Sequence, residues 1–329
     1  MTASLFRPTT AGGARSTAGG RRRPNGAAVL ALVTLPLLAA TGCAAEKAPA
    51  GVTESEAGTP AGAPTAAAPE TEKQASPSEA SRQDPEPATD GIEENPGYDQ
   101  AGLDEHLRSA AWSDDVAAAE KLIAWGADVN ARDETMQSAY LIATSEGHLE
   151  LLRLTLAHGA DVRDLDSWDG TGLIRAAERG HWQVVGELIQ AGVPLDHVNR
   201  VGYQAIHEAV VFGRDDESYH ATVRVLIAGG VDFSTPSVSE GQTPLQMAYA
   251  KGFPRQAALI EALTTAPAPQ DPEAALFAAA ESGDPNAVAI ALRAGAAPDA
   301  RNADGRTALE IAEANTHPAS AQILRALGG

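Results

Sequence analysis

Glycines recur with a fixed step through the middle of the chain, and that step is the strongest constraint on its fold. Gly147-His148 and Gly180-His181 lie 33 residues apart, and Gly213 lies 33 further on. A second ladder, Gly126-Ala127-Asp128, Gly159-Ala160-Asp161 and Gly192-Val193-Pro194, keeps the same step of 33. A period of this size marks a stacked repeat, in which each unit is too thin to bury its own apolar face. Between the glycines the apolar residues follow helical spacing. Leu149, Leu152 and Leu156 form one stripe, flanked by Leu151 and Leu154. Gly at the Gly-His step ends one helix, because a left-handed cap suits a residue without Cβ. Gly159 closes the next, and Asp-Val opens a projecting finger.

These residues resemble the ankyrin repeat. Gly241-Gln242-Thr243-Pro244-Leu245, Gly305-Arg306-Thr307-Ala308-Leu309, Ala205-Ile206-His207-Glu208-Ala209 and Gly126-Ala127-Asp128-Val129-Asn130 carry the likeness. It implies an all-α solenoid of helix-turn-helix units with short hairpin fingers over residues 102–329. About seven units begin near residues 102, 134, 167, 200, 238, 271 and 304. The first and last read as caps. Two irregularities stand out. Five extra residues around Arg214-Asp215-Asp216-Glu217-Ser218 lengthen the loop between the helices of the fourth unit. In the fifth, Thr264-Thr265-Ala266-Pro267-Ala268-Pro269 replaces the usual ending. A continuous stack with a weak joint at 264–272 is expected there, since two units alone bury little; the alternative is a break into a block of five units and a block of two.

The first 43 residues read as an export address. Arg21-Arg22-Arg23 precede an apolar run from Ala27 to Thr41, followed by Gly42-Cys43. The run is shorter than the roughly 20 residues that span a bilayer. Ala40-Thr41-Gly42-Cys43 resembles a lipobox, which implies cleavage after residue 42 and acylation of Cys43. Cys43 is the only cysteine, so an internal disulfide and a Cys-based zinc site are excluded. Residues 44–98 hold eleven acids, three bases and almost no large apolar side chain. They are expected to form a disordered, extended tether. The chain is thus expected at the extracytoplasmic face of the cell membrane, held to the lipid bilayer through acylated Cys43.

The formal net charge is −20, and five of the 24 bases lie in residues 1–43, which contain no acid. A body this acidic makes nucleic acid an unsuitable partner. The family resemblance implies instead that another protein is bound, by a monomer, through finger tips and the ends of the first helices. Those slots hold Met136, Trp168, Arg200 and Tyr203 on fingers, and Arg179 and Phe212 on helices. Aromatics and Arg dominate interface energetics. Trp112, Trp125 and Trp182 read as packing residues. The resemblance assigns His148, His181 and His207 to tying loop backbones together. No catalytic set, metal site or cofactor motif emerges. Asp164, Asp166 and Asp169 read as a solvated turn, since Arg175 stands where a calcium loop needs Glu. The competing reading is an exported effector or hydrolase with an irregular site at 214–220 or 264–272. A His–Asp or carboxylate pair in a pocket there would favour it.

Overall fold

A computed structural model describes residues 94–329. The apolar run, Cys43 and the tether up to residue 93 lie outside the described residues. Fourteen helices follow in order: α1 (Gln100–Trp112), α2 (Val116–Ala124), α3 (Ala139–Glu146), α4 (Leu149–Ala157), α5 (Gly172–Glu178), α6 (Trp182–Gln190) and α7 (Ala205–Val211). Then come α8 (Glu217–Ala228), α9 (Pro244–Lys251), α10 (Pro254–Thr265), α11 (Pro272–Ser282), α12 (Pro285–Arg293), α13 (Ala308–Ala314) and α14 (Pro318–Ala326). Among the described residues there is no strand, and the fingers carry only the isolated bridges Leu165–Thr171 and Arg301–Thr307. Nor is any described helix long and apolar enough to cross a membrane.

The repeat signature explains the helix starts. Thr243 Oγ1 accepts from the Gln246 N–H while the Gln246 side chain accepts from the Thr243 N–H, and Thr307 with Glu310 does the same. Such caps satisfy N–H groups that have no partner inside the helix, and each contributes about 1 kcal/mol. The ends follow the glycines: Gly147, Gly252 and Gly283 are left-handed caps. A Cβ on Gly147 would meet the His181 ring at 2.6 Å, so glycine also lets the next unit approach. His181 Nε2 lies 3.1 Å from the Ser145 carbonyl, and His207 Nε2 lies 3.1 Å from that of Thr235. The His181 ring bridges neighbouring units, and the His207 ring ties down the closing loop of its own unit.

The fingers are held by one device repeated every 33 residues. Asp133, Asp166 and Asn199 each accept several backbone N–H groups of the turn that follows. Adjacent fingers then bond directly: Arg200 N–H to Trp168 O, and Val238 N–H to Gly202 O, both 2.9 Å. Asp164 and Asp166 are therefore buried, not solvated as expected. Asp164 accepts from the Ser138 hydroxyl and pairs with Arg132, and Asp166 accepts turn N–H groups and pairs with Arg175.

First helices α1, α3, α5, α7 and α9 pack side by side as an inner layer, and α2, α4, α6, α8 and α10 lie behind them. Leu141, Ile174, Leu188, Ile206 and Leu226 are fully buried between the layers. The extra residues of the fourth unit do not all lengthen a loop. Glu217 and Ser218 start α8, which runs 12 residues against nine in α6.

The expected continuous stack is not what forms. α11 does not take the place beside α9; instead α12 packs on α8, and α14 packs on α6 and α8. The last two helix pairs fold back onto the second-helix face of the preceding five. Gly186 makes room for this, since a Cβ there would lie 2.2 Å from the Ala326 carbonyl oxygen. Gln190 Nε2 donates to that same oxygen at 2.8 Å. Arg293 donates to the carbonyls of Ile227 and Val231 and stacks on Phe233 at 4.4 Å. A cation there also opposes the negative end of α8. The fold-back answers the burial problem that made a free pair of units unstable.

Candidate interaction groove

Fingers and first helices enclose a groove whose deepest part, about 370 Å3, is lined by Trp112, Thr135, Gln137, Leu141, Ser145, Asp166, Ser167, Trp168, Arg175 and Arg179. Two tryptophans stand at its rim, Trp112 52% and Trp168 54% exposed. Trp112 was expected in the packing; it ends α1, where its ring projects past the helix into the groove. Trp125 and Trp182 are partly buried against the core. Phe212, 55% exposed, caps α7 one step along from Arg179, which caps α5. Met136 is exposed at a finger tip with φ of 66°, a backbone shape that costs a β-unbranched residue about 1 kcal/mol.

The charges in the groove are internally matched. Arg175 pairs with Asp166 and with Glu178 (2.7 Å), and Arg179 pairs with Glu146 and donates to the Ser145 carbonyl at 3.0 Å. Arg200 meets Asp169 at 3.1 Å on the next finger.

Tyr203 departs from the expectation. It is only 5% exposed, and its hydroxyl donates to Glu240. Burial, and then the adjacent carboxylate, push its pKa up to about 12. It supports the finger from beneath and leaves little surface open, at the edge of a small cavity shared with Gln242 and Met247. Below it lies a group that the sequence reading passed over. Glu208 is 2% exposed; its Oε1 accepts from Asn199 Nδ2 at 2.5 Å, and its Oε2 is buried with no partner. Burial pushes its pKa up to about 7, although the Asn199 bond opposes this.

At 214–220 the structure does hold a His–Asp pair. His220 Nε2 lies 2.8 Å from Asp215 Oδ1, beside a cavity of about 230 Å3. Its geometry is that of a joint. Asp215 also accepts from the N–H groups of Arg255 and Gln256 at the start of α10. Burial raises the pKa of this carboxyl, but the His220 and backbone hydrogen bonds outweigh that and hold it below the usual range. The second ring nitrogen of His220 faces Glu217 at 3.7 Å. Both nitrogens are thus turned to carboxylates, and the cavity lining contains no hydroxyl or thiol nucleophile.

Comparison with known proteins identifies the type of repeat. The family described as ankyrin repeats (3 copies) matches residues 136–233. The Escherichia coli ankyrin repeat protein YahD is 32% identical over 147 residues, 44% of this chain and 72% of YahD. A Caenorhabditis elegans homolog of transient receptor potential cation channel subfamily A member 1 is 30% identical over 191 residues, 57% of this chain but 15% of that protein. Among solved structures, an ankyrin repeat domain from Acinetobacter baumannii is 41% identical, covering 47% of this chain and 78% of that one with a TM-score of 0.45. Fold and groove define a helical-repeat scaffold of the kind that binds other proteins and is generally not an enzyme. The chain belongs to the ankyrin repeat family.

Proposed function

We propose that the chain is a membrane-anchored, extracytoplasmic interaction module, acting as a monomer, whose groove holds a segment of another protein. The observation that carries the binding part is the pair of half-exposed tryptophans, Trp112 and Trp168, facing one cavity. Only four Trp occur in the chain, so two at one groove is a concentrated investment of contact area. The anchoring part rests on Ala40-Thr41-Gly42-Cys43, where the single thiol falls at the residue that lipidation requires. Two or more acyl chains there would hold the protein stably at a bilayer.

Each part has its own test. Photo-crosslinkers placed at Phe212 and Met136 in the native membrane should trap a stoichiometric protein, and a crosslinker at Glu120, on α2, should not. Trp112→Ala with Trp168→Ala should abolish the adduct. An adduct that persists in the double variant, or that forms equally from Glu120, contradicts the groove assignment. Cys43→Ser should prevent incorporation of a clickable fatty acid and move the chain from the membrane to the soluble fraction. Retention of both properties by that variant contradicts the anchor.

A further inference from the structure

The fold-back creates a second cavity, and it contains a guanidinium that no carboxylate of the described residues pairs with directly. Arg224 lies in the middle of α8, partly buried. Its Nε–H donates to Asn286 Oδ1 at 2.9 Å. Among the described residues its two terminal amino groups make no hydrogen bond, and no carboxylate forms an ion pair with it. Arg175, also partly buried, has two carboxylates. Glu217 and Asp284 act on Arg224 only at longer range, and a guanidinium withdrawn from water without a directly paired carboxylate is costly. Desolvation accordingly pulls Arg224 below the ordinary Arg range.

The cavity at Arg224, about 230 Å3, sits where α8, α10 and α12 meet, and it is lined also by His220, Glu217, Arg255 and Asn286. His220 is turned to Asp215. Arg255 pairs with Glu217, whose side chain is 73% exposed and is held by little else. A stronger anion can therefore displace Glu217 without unburying it. The Asn286 amide nitrogen donates to no described residue and remains available as a third donor. We propose that this cavity binds a small oxyanion of the phosphate class between Arg224 and Arg255, with Asn286 as the third contact. Two guanidinium forks match a tetrahedral oxyanion well. The space is below the roughly 300–1,000 Å3 of pockets for larger organic ligands. Since α8 and α10 belong to the five-unit stack and α12 to the folded-back pair, the anion would bolt the two together.

The test uses the full chain carrying Cys43→Ser. Thermal unfolding is followed in sodium phosphate and in sodium chloride of equal ionic strength and pH. Phosphate at about ten times its dissociation constant should raise Tm by about 3–6 °C over chloride. Arg224→Gln should lose that shift. Glu217→Gln, which removes the competing carboxylate, should reach it at several-fold lower phosphate. Phosphorus NMR line broadening of free phosphate reads binding even if Arg224→Gln changes stability. Flotation with vesicles containing phosphatidic acid separates the sources: Arg224-dependent flotation places the phosphate on a lipid, and Arg224-dependent broadening without flotation makes it a free ion. A response to phosphate as large in Arg224→Gln as in the parent, or weaker binding in Glu217→Gln, overturns the proposal.

Discussion

The five helix pairs from α1 to α10 and the two from α11 to α14 are built from the same repeat but bury their apolar faces differently. In the first block each inner helix leans on the next, so the core runs along the stack. In the second, α11 and α12 are rich in alanine, with few large side chains to offer a neighbour. The second block is covered instead by α6, whose Gly186 and Gln190 receive α14, and by the end of α8 and the turn after it, where the carbonyls of Ile227 and Val231 hold Arg293 of α12. A repeat therefore specifies a unit and leaves open the direction in which that unit is covered. Direction is set by where small residues permit a close approach.

The contrast yields graded expectations. Leu226 is fully buried in α8, which supports both blocks. Leu226→Ala should cost about 2–5 kcal/mol and lower both blocks together, seen as one transition by circular dichroism and by proteolysis at residues 266–271. Separate transitions would show that the blocks are less coupled than their contacts imply.

Glu208 gives a pH-dependent effect within the first block. Its folded pKa of about 7 lies above the ordinary glutamate value of 4.5, so the folded state holds a proton that the unfolded state releases between these values. The contribution is therefore favourable below pH 4.5 and is lost as pH rises through 7. Glu208→Gln should stabilise the protein at pH 8 by on the order of 2–3 kcal/mol and have little effect near pH 4.5. Denaturant titrations at both pH values check this; a gain that is equal at both would remove the titration from the account.

Gly186→Ala tests the interface between the blocks. Alanine is the better helix former by about 1 kcal/mol, yet its Cβ would collide with the Ala326 carbonyl oxygen. The net change should be a loss of about 1–3 kcal/mol, with faster cleavage at 266–271 while the first block stays folded. A stabilised variant would mean that α14 does not rest there. Smallest is Trp168→Ala: with the ring 54% exposed, stability should change by less than about 1 kcal/mol, while partner crosslinking falls.

The first block was legible in the sequence because its signals are local. The Thr-Pro-Leu start, the Gly-His step and the 33-residue period each act within one unit. Trp168, Phe212, Met136, Arg179 and Arg200 lie at exposed groove or finger positions for the same reason. Tyr203 was misread because one residue along a finger separates an outward ring from one that covers Glu240. Trp112 was misread because the first unit has no preceding neighbour to cover it. The fold-back joins Gln190 to Ala326 across 136 residues, and nothing near either residue marks the pairing. Nothing in the sequence sets Arg224 apart, because its partner Asn286 on α12 lies 62 residues away.

The fold-back itself is tested most directly by a short bis-maleimide bridging Gln183→Cys and Gln322→Cys in the Cys43→Ser chain. Both side chains line the cavity between α6 and α14, so rapid intramolecular crosslinking at low protein concentration is expected. A straight stack would separate those units by about four inter-helix spacings of 8–10 Å, and the absence of any intramolecular product would contradict the account.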